Sequence, residues 1–341
     1  PLYNEDAAPS VAALQAMAEG LVAAGAGDRF EIFVISDTRD PDIWVRETAA
    51  IARLRAALSG RMAVWYRRRS VNAGRKAGNV RDFVERWGAR YDHLLILDAD
   101  SVMEADTILK LAGRMEAEPR LGILQTVPML VGGSSLFGRL QQFAGRLYGP
   151  VIARGTAAWQ GTDGNYWGHN AMIRTRAFAQ ACGLPDLPGR KPFGGHILSH
   201  DFVEAALIRR AGWQVRMDPD LRGSFEGAPP SLIDSAARDR RWAQGNLQHV
   251  KVIGARGLRW PSRVHFAIGI GSYLMSPIWL AMLVTGGMLA LRAGLAQPRY
   301  FADTFQLFPD WPVFDAERML GLFLLATGLL LLPKFLGLFH A

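Results

Sequence analysis

The sequence predicts an α/β fold through the first half of the chain and membrane helices towards its end. Short β-rich runs alternate with helical patterns, which is typical of a parallel sheet flanked by helices. Later, residues 268–291 carry no charged side chain. That stretch is long enough to cross a bilayer, which needs roughly 20 apolar residues. A globular α/β domain followed by a membrane region is therefore expected.

The predicted elements alternate strictly. The strands are residues 31–36, 61–66, 93–97 and 122–127. The helices are residues 10–24, 41–58, 79–87 and 105–117. The opening residues PLYNED are typical of a strand end that runs into a helix, so a first strand upstream of residue 1 is expected. Open α/β sheets bind ligands at the carboxyl ends of their strands, which directs attention to polar motifs there.

The chain divides into a domain over residues 1–250 and a membrane region over residues 251–341. A span is predicted near 266–291. A second apolar run near 319–339 is interrupted by one lysine, so it either crosses the membrane or re-enters it. Residues 136–156 place apolar groups at helical spacing with arginines between them. This pattern fits an interfacial helix and an ordinary core helix equally well.

Charge places the domain on one side of the membrane. Three arginines precede the first span and four acids follow it: Arg256, Arg259 and Arg263, then Asp303, Asp310, Asp315 and Glu317. The positive side holds the domain, which is expected to be cytosolic. The single cysteine, Cys182, excludes an intramolecular disulfide and suits a reducing compartment. The net charge of +8 suits anionic lipid or phosphate-bearing substrates. Nucleic acid, the rival partner, is disfavoured because the basic residues are scattered and no nucleic-acid module accompanies them.

Two acidic motifs follow predicted strands. Asp98 and Asp100 flank one alanine directly after the apolar run HLLIL, and such a pair can face one Mg²⁺ or Mn²⁺ that bridges a diphosphate. A solvated acidic loop is the alternative. Asp37 follows the strand EIFVIS, where a carboxylate can accept from a nucleobase or ribose, or cap the next helix. The glycine-rich loop NAGRKAGN then offers backbone N–H groups and Lys76 to phosphate oxygens, although a solvated loop has the same composition.

Two further motifs lie on predicted helices. Asp201, in Ser-His-Asp, begins a helical run and can act as a general base or as a helix cap. His200 cannot form a triad with it, since consecutive residues do not adopt that geometry. In RDRRWAQGN, one helical face carries Arg238, Arg241, Trp242 and Gly245. This face suits a diphosphate, a stacked sugar and a gap beside the glycine, or else a helix lying on the membrane surface.

In their order and spacing, PLYNED, Asp37, the Lys76 loop, D-A-D, S-H-D and R-D-R-R-W resemble the processive family 2 glycosyltransferases, including the cellulose and hyaluronan synthases. The resemblance covers about residues 1–290. It implies a GT-A type fold, which is a Rossmann-like mixed sheet with flanking helices, followed by interfacial and transmembrane helices. Two departures are clear: the family's T-E-D is S-H-D here, and the glutamine of its Q-x-x-R-W is Arg238.

The resemblance also implies roles for residues. The implied donor-binding residues are Asp37, Lys76, Asp98, Asp100, Arg238, Arg241 and Trp242, of which Asp98 and Asp100 bind the metal. Asp201 is the implied base. The implied acceptor-binding residues are Trp167, Gly168, His169, Asn170 and Trp242. For the four from 167 to 170, a tight turn with a buried aromatic is nearly as good an interpretation.

The implied activity is the transfer of glucose from UDP-glucose to a growing β-1,2-glucan at the bacterial inner membrane, with membrane lipid and a periplasmic glucan-biosynthesis protein as partners. One base candidate and no second nucleophilic carboxylate motif predict that the transfer is inverting. Two alternatives stay open. One is the synthesis of another β-linked polysaccharide, such as cellulose or an N-acetylglucosamine polymer. The other is a non-catalytic nucleotide-sugar sensor. A transporter is disfavoured because so little of the chain is membrane-like.

Overall fold

The computed structural model describes residues 1–181, 183–295 and 316–340. The strands are β1 Glu31–Ser36, β2 Ala63–Arg68, β3 His93–Ile96, β4 Val102–Met103, β5 Leu121–Thr126, β6 Met129–Val131, β7 Ala171–Arg174, β8 Gln214–Asp218 and β9 Ser224–Gly227. The helices are α1 Ala7–Ala23, α2 Pro41–Ala57, α3 Arg75–Trp87, α4 Ala105–Ala117, α5 Leu136–Gln160, α6 Thr175–Ala181, α7 His200–Arg210, α8 Leu232–Gln248, α9 Trp260–Leu295 and α10 Ala316–His340. Cys182, Asp303, Asp310 and Asp315 lie outside the described residues.

The four predicted strands are β1, β2, β3 and β5, and the four predicted helices are α1 to α4. The largest boundary difference concerns α3, which begins at Arg75 rather than at Asn79. Gly74 precedes the helix with φ +69°, a left-handed conformation that glycine adopts without steric cost. Lys76 therefore lies in the first turn of a helix and not in a free loop.

The described strands form three sheets. β1 and β2 make a two-stranded parallel sheet, and the four-stranded sheet, of order β3-β7-β5-β8, is mixed, with β5 parallel to β8. β7 lies between β3 and β5 and is antiparallel to both, and β4, β9 and β6 form a separate three-stranded sheet. The wholly parallel sheet expected from the alternation is wrong, because β7 enters from a loop rather than from a crossover helix. The mixed sheet with flanking helices, implied by the resemblance, is confirmed.

The core lies on both faces of the central sheet. On one face, Leu111 and Met115 of α4 and Leu124 of β5 lie in one cluster with residues of α1, and all three side chains are fully buried. The other face packs Ile173 and Ile208 with the aromatic residues of α3. Burying one such side chain stabilises the fold by about 1.5–3 kcal/mol. The strand ends that carry the polar motifs are therefore held on a well-packed platform.

Leu2 continues the edge of this platform. Its N–H donates to the carbonyl of Ile35 at 3.0 Å, and its carbonyl accepts from the N–H of Asp37 at 2.9 Å. Residue 2 thus lies parallel to the end of β1, in a single bridge to Ser36. The strand expected upstream of residue 1 stays a prediction.

Among the described residues, one helical stretch is long and apolar enough to cross a membrane, Trp260–Leu289 within α9. The helix continues through Pro277. The apolar part of α10, Leu320–Leu332, is shorter than a full span, so the second crossing stays a prediction. α5 buries only Gly138 and Ala153, so it is not an ordinary core helix.

Candidate active site

Lys76 connects Asp98, which follows β3, to Gly168, which precedes β7. Its ammonium group contacts the carboxylate of Asp98 and donates to the carbonyl of Gly168 at 2.8 Å. Burial alone would raise the pKa of Asp98, but Lys76 and then His169 outweigh it and lower that pKa below its ordinary value. Asp98 is therefore held as a carboxylate at neutral pH.

Asp37 is buried and paired with Arg69, a residue that sequence reasoning missed. The guanidinium group of Arg69 meets both carboxylate oxygens of Asp37, at 2.7 and 2.8 Å. It also donates to the carbonyls of Ala73 and Arg75, at 3.0 and 3.1 Å. Through Arg69, Asp37 holds the segment that leads into α3 and so helps to place Lys76. The run of three arginines at the end of β2 was the available signal.

Asp201 lies in the first turn of α7, beside Gly168. A Cβ atom added to Gly168 would lie 3.4 Å from Oδ2 of Asp201, so the two residues are in contact. Burial raises the pKa of Asp201, and Glu204 adds to the rise, while His200 and Lys76 oppose it. Within the described residues Asp201 forms no ion pair. A carboxylate in these surroundings accepts a proton more readily than an exposed one.

His200 points to a different partner. Its Nδ1 lies 3.2 Å from Oε1 of Glu204. Burial alone would lower the pKa of His200, but Glu204 reverses this and raises it. His200 is therefore paired one helical turn along α7, which agrees with the rejection of a triad with Asp201.

The segment 163–170, which we call the site loop, is fixed by two buried amides. The Gln125 side chain accepts from the N–H of Trp167 and donates to the carbonyl of His169, both at 3.0 Å. The Asn170 side chain donates to Ser224 Oγ and to the carbonyl of Phe225, at 2.9 and 3.2 Å. Asn170 is fully buried, so it anchors the loop. Trp167 and His169 are partly exposed, and Gly168 is buried against Asp201.

Glu226 on β9 is a second residue that sequence reasoning missed. Its Oε2 lies 3.3 Å from Nε2 of His169. Burial raises the pKa of Glu226 while His169 opposes the rise, and the charges of Asp100 and Asp98 add to it. A Cβ atom added to the next residue, Gly227, would lie 3.2 Å from Oδ2 of Asp100. No motif marks Glu226, because its partners lie far away in the sequence.

α8 presents the remaining predicted residues. Trp242 is 51% exposed, and the guanidinium carbon of Arg238 lies 5.1 Å from the centre of its ring. Arg241 is exposed on the same helix. The expectation of a gap beside Gly245 is wrong. Ser199 fills that space, because a Cβ atom added to Gly245 would overlap with its Oγ. The glycine instead lets α8 approach the segment that precedes Asp201.

The carboxylates of the site fit a divalent cation whose remaining ligands come from a substrate. Among the described residues no group of three or more His, Cys, Asp and Glu side chains forms a closed metal site. Asp98 and Asp100 offer two hard oxygen ligands, and the pKa of Asp98 is lowered. Mg²⁺ commonly takes one or two carboxylates, with substrate phosphates completing its shell.

Comparison with known proteins defines the class. The chain matches Glycosyl transferase family 2 over residues 1–181 and Glycosyl transferase family group 2 over residues 93–332. It therefore belongs to glycosyltransferase family 2, and both the resemblance and the GT-A type fold are confirmed.

Particular relatives are much closer. The chain is 54% identical to glucans biosynthesis glucosyltransferase H of Vibrio cholerae serotype O1 over 338 residues, covering 99% of this chain and 47% of that protein. It is 55% identical to the protein of the same name from Shewanella baltica over 337 residues, covering 99% and 46%. The chain thus spans about half the length of the curated relatives it matches.

Solved structures are more distant. The structure of S. aureus TarS 1-349 has a TM-score of 0.42 and 11% identity, covering 80% of this chain and 68% of that one. Glucosyl-3-phosphoglycerate synthase from Mycobacterium tuberculosis, in complex with Mn²⁺, UDP and phosphoglyceric acid, has a TM-score of 0.39 and 14% identity, covering 74% and 75%.

Proposed function

We propose that this chain is the catalytic part of a membrane glucosyltransferase that transfers glucose from UDP-glucose to a growing β-1,2-glucan. One observation carries the proposal. Lys76 contacts the Asp98 carboxylate and the Gly168 carbonyl, and Gly168 in turn contacts Asp201. A cation-binding acid and a base of raised pKa therefore share one compact site. Glucose as the sugar is supported by the names of the relatives.

On the donor side, Asp98 and Asp100 would hold Mg²⁺ or Mn²⁺, which neutralises charge on the diphosphate of the leaving group. Lys76, in the first turn of α3, adds a positive charge at the end of that helix where the backbone dipole favours anions. Arg238, which lies against Trp242, and Arg241 on α8 would bind the diphosphate from the other side. Asp37 contributes by ordering Arg69 and the Lys76 segment, and its strand-end position suits the uridine.

On the acceptor side, Asp201 takes the proton of the attacking sugar hydroxyl. Within the described residues, the neighbouring acids Glu204 and Glu226 are paired with His200 and His169, whereas Asp201 forms no ion pair. One unpaired base beside the site loop supports a single displacement, which inverts the anomeric carbon.

Trp167, Gly168 and His169 would line the acceptor path, with Asn170 holding them in place from behind. Trp242 offers an exposed indole on which a sugar ring can stack. The apolar helix α9 supports a membrane location with lipid around it. We further propose that this is the bacterial inner membrane, that the catalytic domain lies in the cytosol and that the glucan is delivered to a periplasmic partner. A nucleic-acid partner has no place in this scheme.

The test uses the full-length protein in lipid vesicles with radiolabelled UDP-glucose, UDP-galactose and UDP-N-acetylglucosamine. We expect incorporation from UDP-glucose alone, a β-1,2-linked product, and loss of activity with EDTA that Mg²⁺ or Mn²⁺ restores. Asp100→Asn should abolish incorporation, whereas Asp220→Asn, at an exposed ion pair with Arg154, should not.

Other outcomes distinguish the alternatives. Incorporation from a different UDP-sugar, or another linkage, would identify the synthase of another β-linked polysaccharide. Binding of UDP-glucose without turnover would identify a nucleotide-sugar sensor and would refute the proposal.

A further inference from the structure

Asp163, the first residue of the site loop, contacts three residues that lie on α7 and at the start of α9. Its carboxylate Oδ1 lies 2.8 Å from Nη1 of Arg259, directly before α9. Its carbonyl accepts from Nε2 of His265 on α9 at 2.9 Å and from Nη1 of Arg209 on α7 at 2.5 Å. The proposed mechanism uses none of these contacts, although α7 carries Asp201 and the site loop carries Gly168.

The first turns of α9 are docked on the catalytic domain. Ser262, His265 and Phe266 are buried there. The ring of Phe266 lies 4.8 Å from that of His249, whose Nε2 lies 3.1 Å from the carbonyl of Ser199. Burial lowers the pKa of His249 to about 4, so its imidazole is neutral at physiological pH and donates through this nitrogen.

Further along, α9 touches α8 as well. A Cβ atom added to Gly269 would lie 2.2 Å from Oδ1 of Asn246, which shows how closely the two helices approach. From Leu274 onwards the large apolar side chains of α9 are exposed. One end of this helix is therefore part of the catalytic domain, and the rest is free for lipid.

The start of the site loop has little freedom to absorb a displacement. The N–H of Gly164 donates to the carbonyl of Val215 on β8 at 2.7 Å, and the N–H of Val215 donates to the carbonyl of Thr162 at 3.0 Å. A Cβ atom added to Gly164 would lie 2.8 Å from that same carbonyl oxygen. Residues 162 and 164 therefore hold Asp163 against β8, while its own contacts hold it against α7 and the start of α9.

We infer that Asp163 is a positioning residue that couples α9 to the site loop, so that the placement of the membrane helix sets the acceptor side of the active site. The reaction it would affect rests on the proposed function. The coupling itself rests on the contacts of Asp163 with Arg259 and His265.

The test compares Asp163→Asn and Arg259→Gln in the full-length protein in lipid vesicles. Asp220→Asn is the matched control. It also removes one carboxylate charge from an ion pair, in which Oδ1 of Asp220 lies 3.2 Å from Nη2 of Arg154, but this pair lies outside the site loop. We expect glucan transfer to fall by about tenfold in both variants, since small misplacements of reacting groups are costly. Hydrolysis of UDP-glucose without acceptor should change by less than about twofold, because the donor side is untouched. The double variant should be no worse than either single variant, since both remove one contact.

Hydrogen–deuterium exchange separates coupling from activity. Backbone amides of residues 163–170 should exchange faster in both variants than in wild type. In the control, their exchange rates should equal those of wild type. Equal losses of transfer and hydrolysis, or unaltered exchange in the loop, would overturn the inference. A wild-type protein that transfers no glucose would instead refute the proposed function, and the exchange experiment would still decide whether α9 is coupled to the loop.

Discussion

Asp98 is linked to Gly168 through Lys76, Asp201 contacts Gly168 directly, and the surroundings of the two carboxylates shift their pKa values in opposite directions. Lys76 and His169 overcome the effect of burial at Asp98 and lower its pKa. At Asp201, burial dominates, Glu204 adds to it, and the pKa rises. The same functional group is therefore kept charged on the donor side and ready to take a proton on the acceptor side. The two carboxylates differ in their pairing: Asp98 contacts Lys76, whereas Asp201 forms no ion pair within the described residues.

The largest expected effect is that of Asp201→Asn. Transfer should fall by about 1,000-fold, within the range that general bases contribute, while binding of UDP-glucose remains. Calorimetric titration of UDP-glucose alongside a glucan-synthesis assay checks both. An Asp201→Asn protein that polymerises at the wild-type rate would falsify the assignment of the base.

The same variant tests the raised pKa. The folded-state pKa of Asp201 lies above the ordinary value of 3.8, so the folded protein holds this proton more tightly than the unfolded chain does. The resulting contribution to the free energy of unfolding is complete below pH 3.8 and is lost as the pH rises through the folded-state pKa. Asparagine removes this loss, so the variant should melt at a higher temperature than wild type at neutral pH. In wild type, transfer should decline on acidification through the raised pKa, since the base becomes protonated.

Lys76→Met tests the donor side and should lower transfer by about 100-fold, since a charge beside the developing diphosphate is lost. Lys76 lowers the pKa of Asp98 and also that of Asp201, so without the lysine both pKa values should rise. On acidification, activity should therefore decline at a higher pH than in wild type. A pH profile of kcat/KM measures this shift. Lys110→Met, at an exposed pair with Asp106 on α4, is the control and should behave as wild type. An unchanged profile for Lys76→Met would remove the basis for the contrast between the two carboxylates.

Gly168→Ala tests the contact between the two sides and should reduce kcat by about tenfold. The added Cβ would lie 3.4 Å from Oδ2 of Asp201, at a residue with φ +90°. Gly132→Ala is matched for backbone strain, with φ +72°, but nothing lies within 4 Å of the added atom. If both variants lose the same activity, backbone strain and not contact with Asp201 explains the effect.

Trp242→Ala should have the smallest effect, raising the acceptor KM by about fivefold with little change in the donor KM, as expected for one lost stacking contact. Trp242→Phe should recover most of the loss. Trp44→Ala is the control. Trp44 also lies against an arginine, with its ring centre 3.6 Å from the guanidinium carbon of Arg68, but it is on α2 and not on α8. A larger change in donor KM than in acceptor KM would assign Trp242 to the nucleotide instead.

Local patterns were enough to predict much of the fold. Apolar runs marked β1, β3 and β5, and residue spacing marked α2 and α4, because both periodicities are set by neighbours a few residues apart. The same reasoning found Asp98 and Asp201, which follow a strand and begin a helix. Arg69, Gln125 and Glu226 were missed, since their partners are distant: Arg69 binds Asp37 across 32 residues, and Gln125 binds Trp167 across 42.

By itself, the sequence determined the α/β order of elements, the acidic motif at the end of β3, and the length and apolar character of α9, all of which depend on side chains close together in the chain. The tertiary structure decided that the sheet is mixed, that Ser199 fills the space beside Gly245, and that Asp163 connects α9 to the site loop. It also decided the opposite pKa shifts of Asp98 and Asp201. Burial and charge at a carboxylate depend on every group that the fold brings near it, and no local pattern encodes that sum.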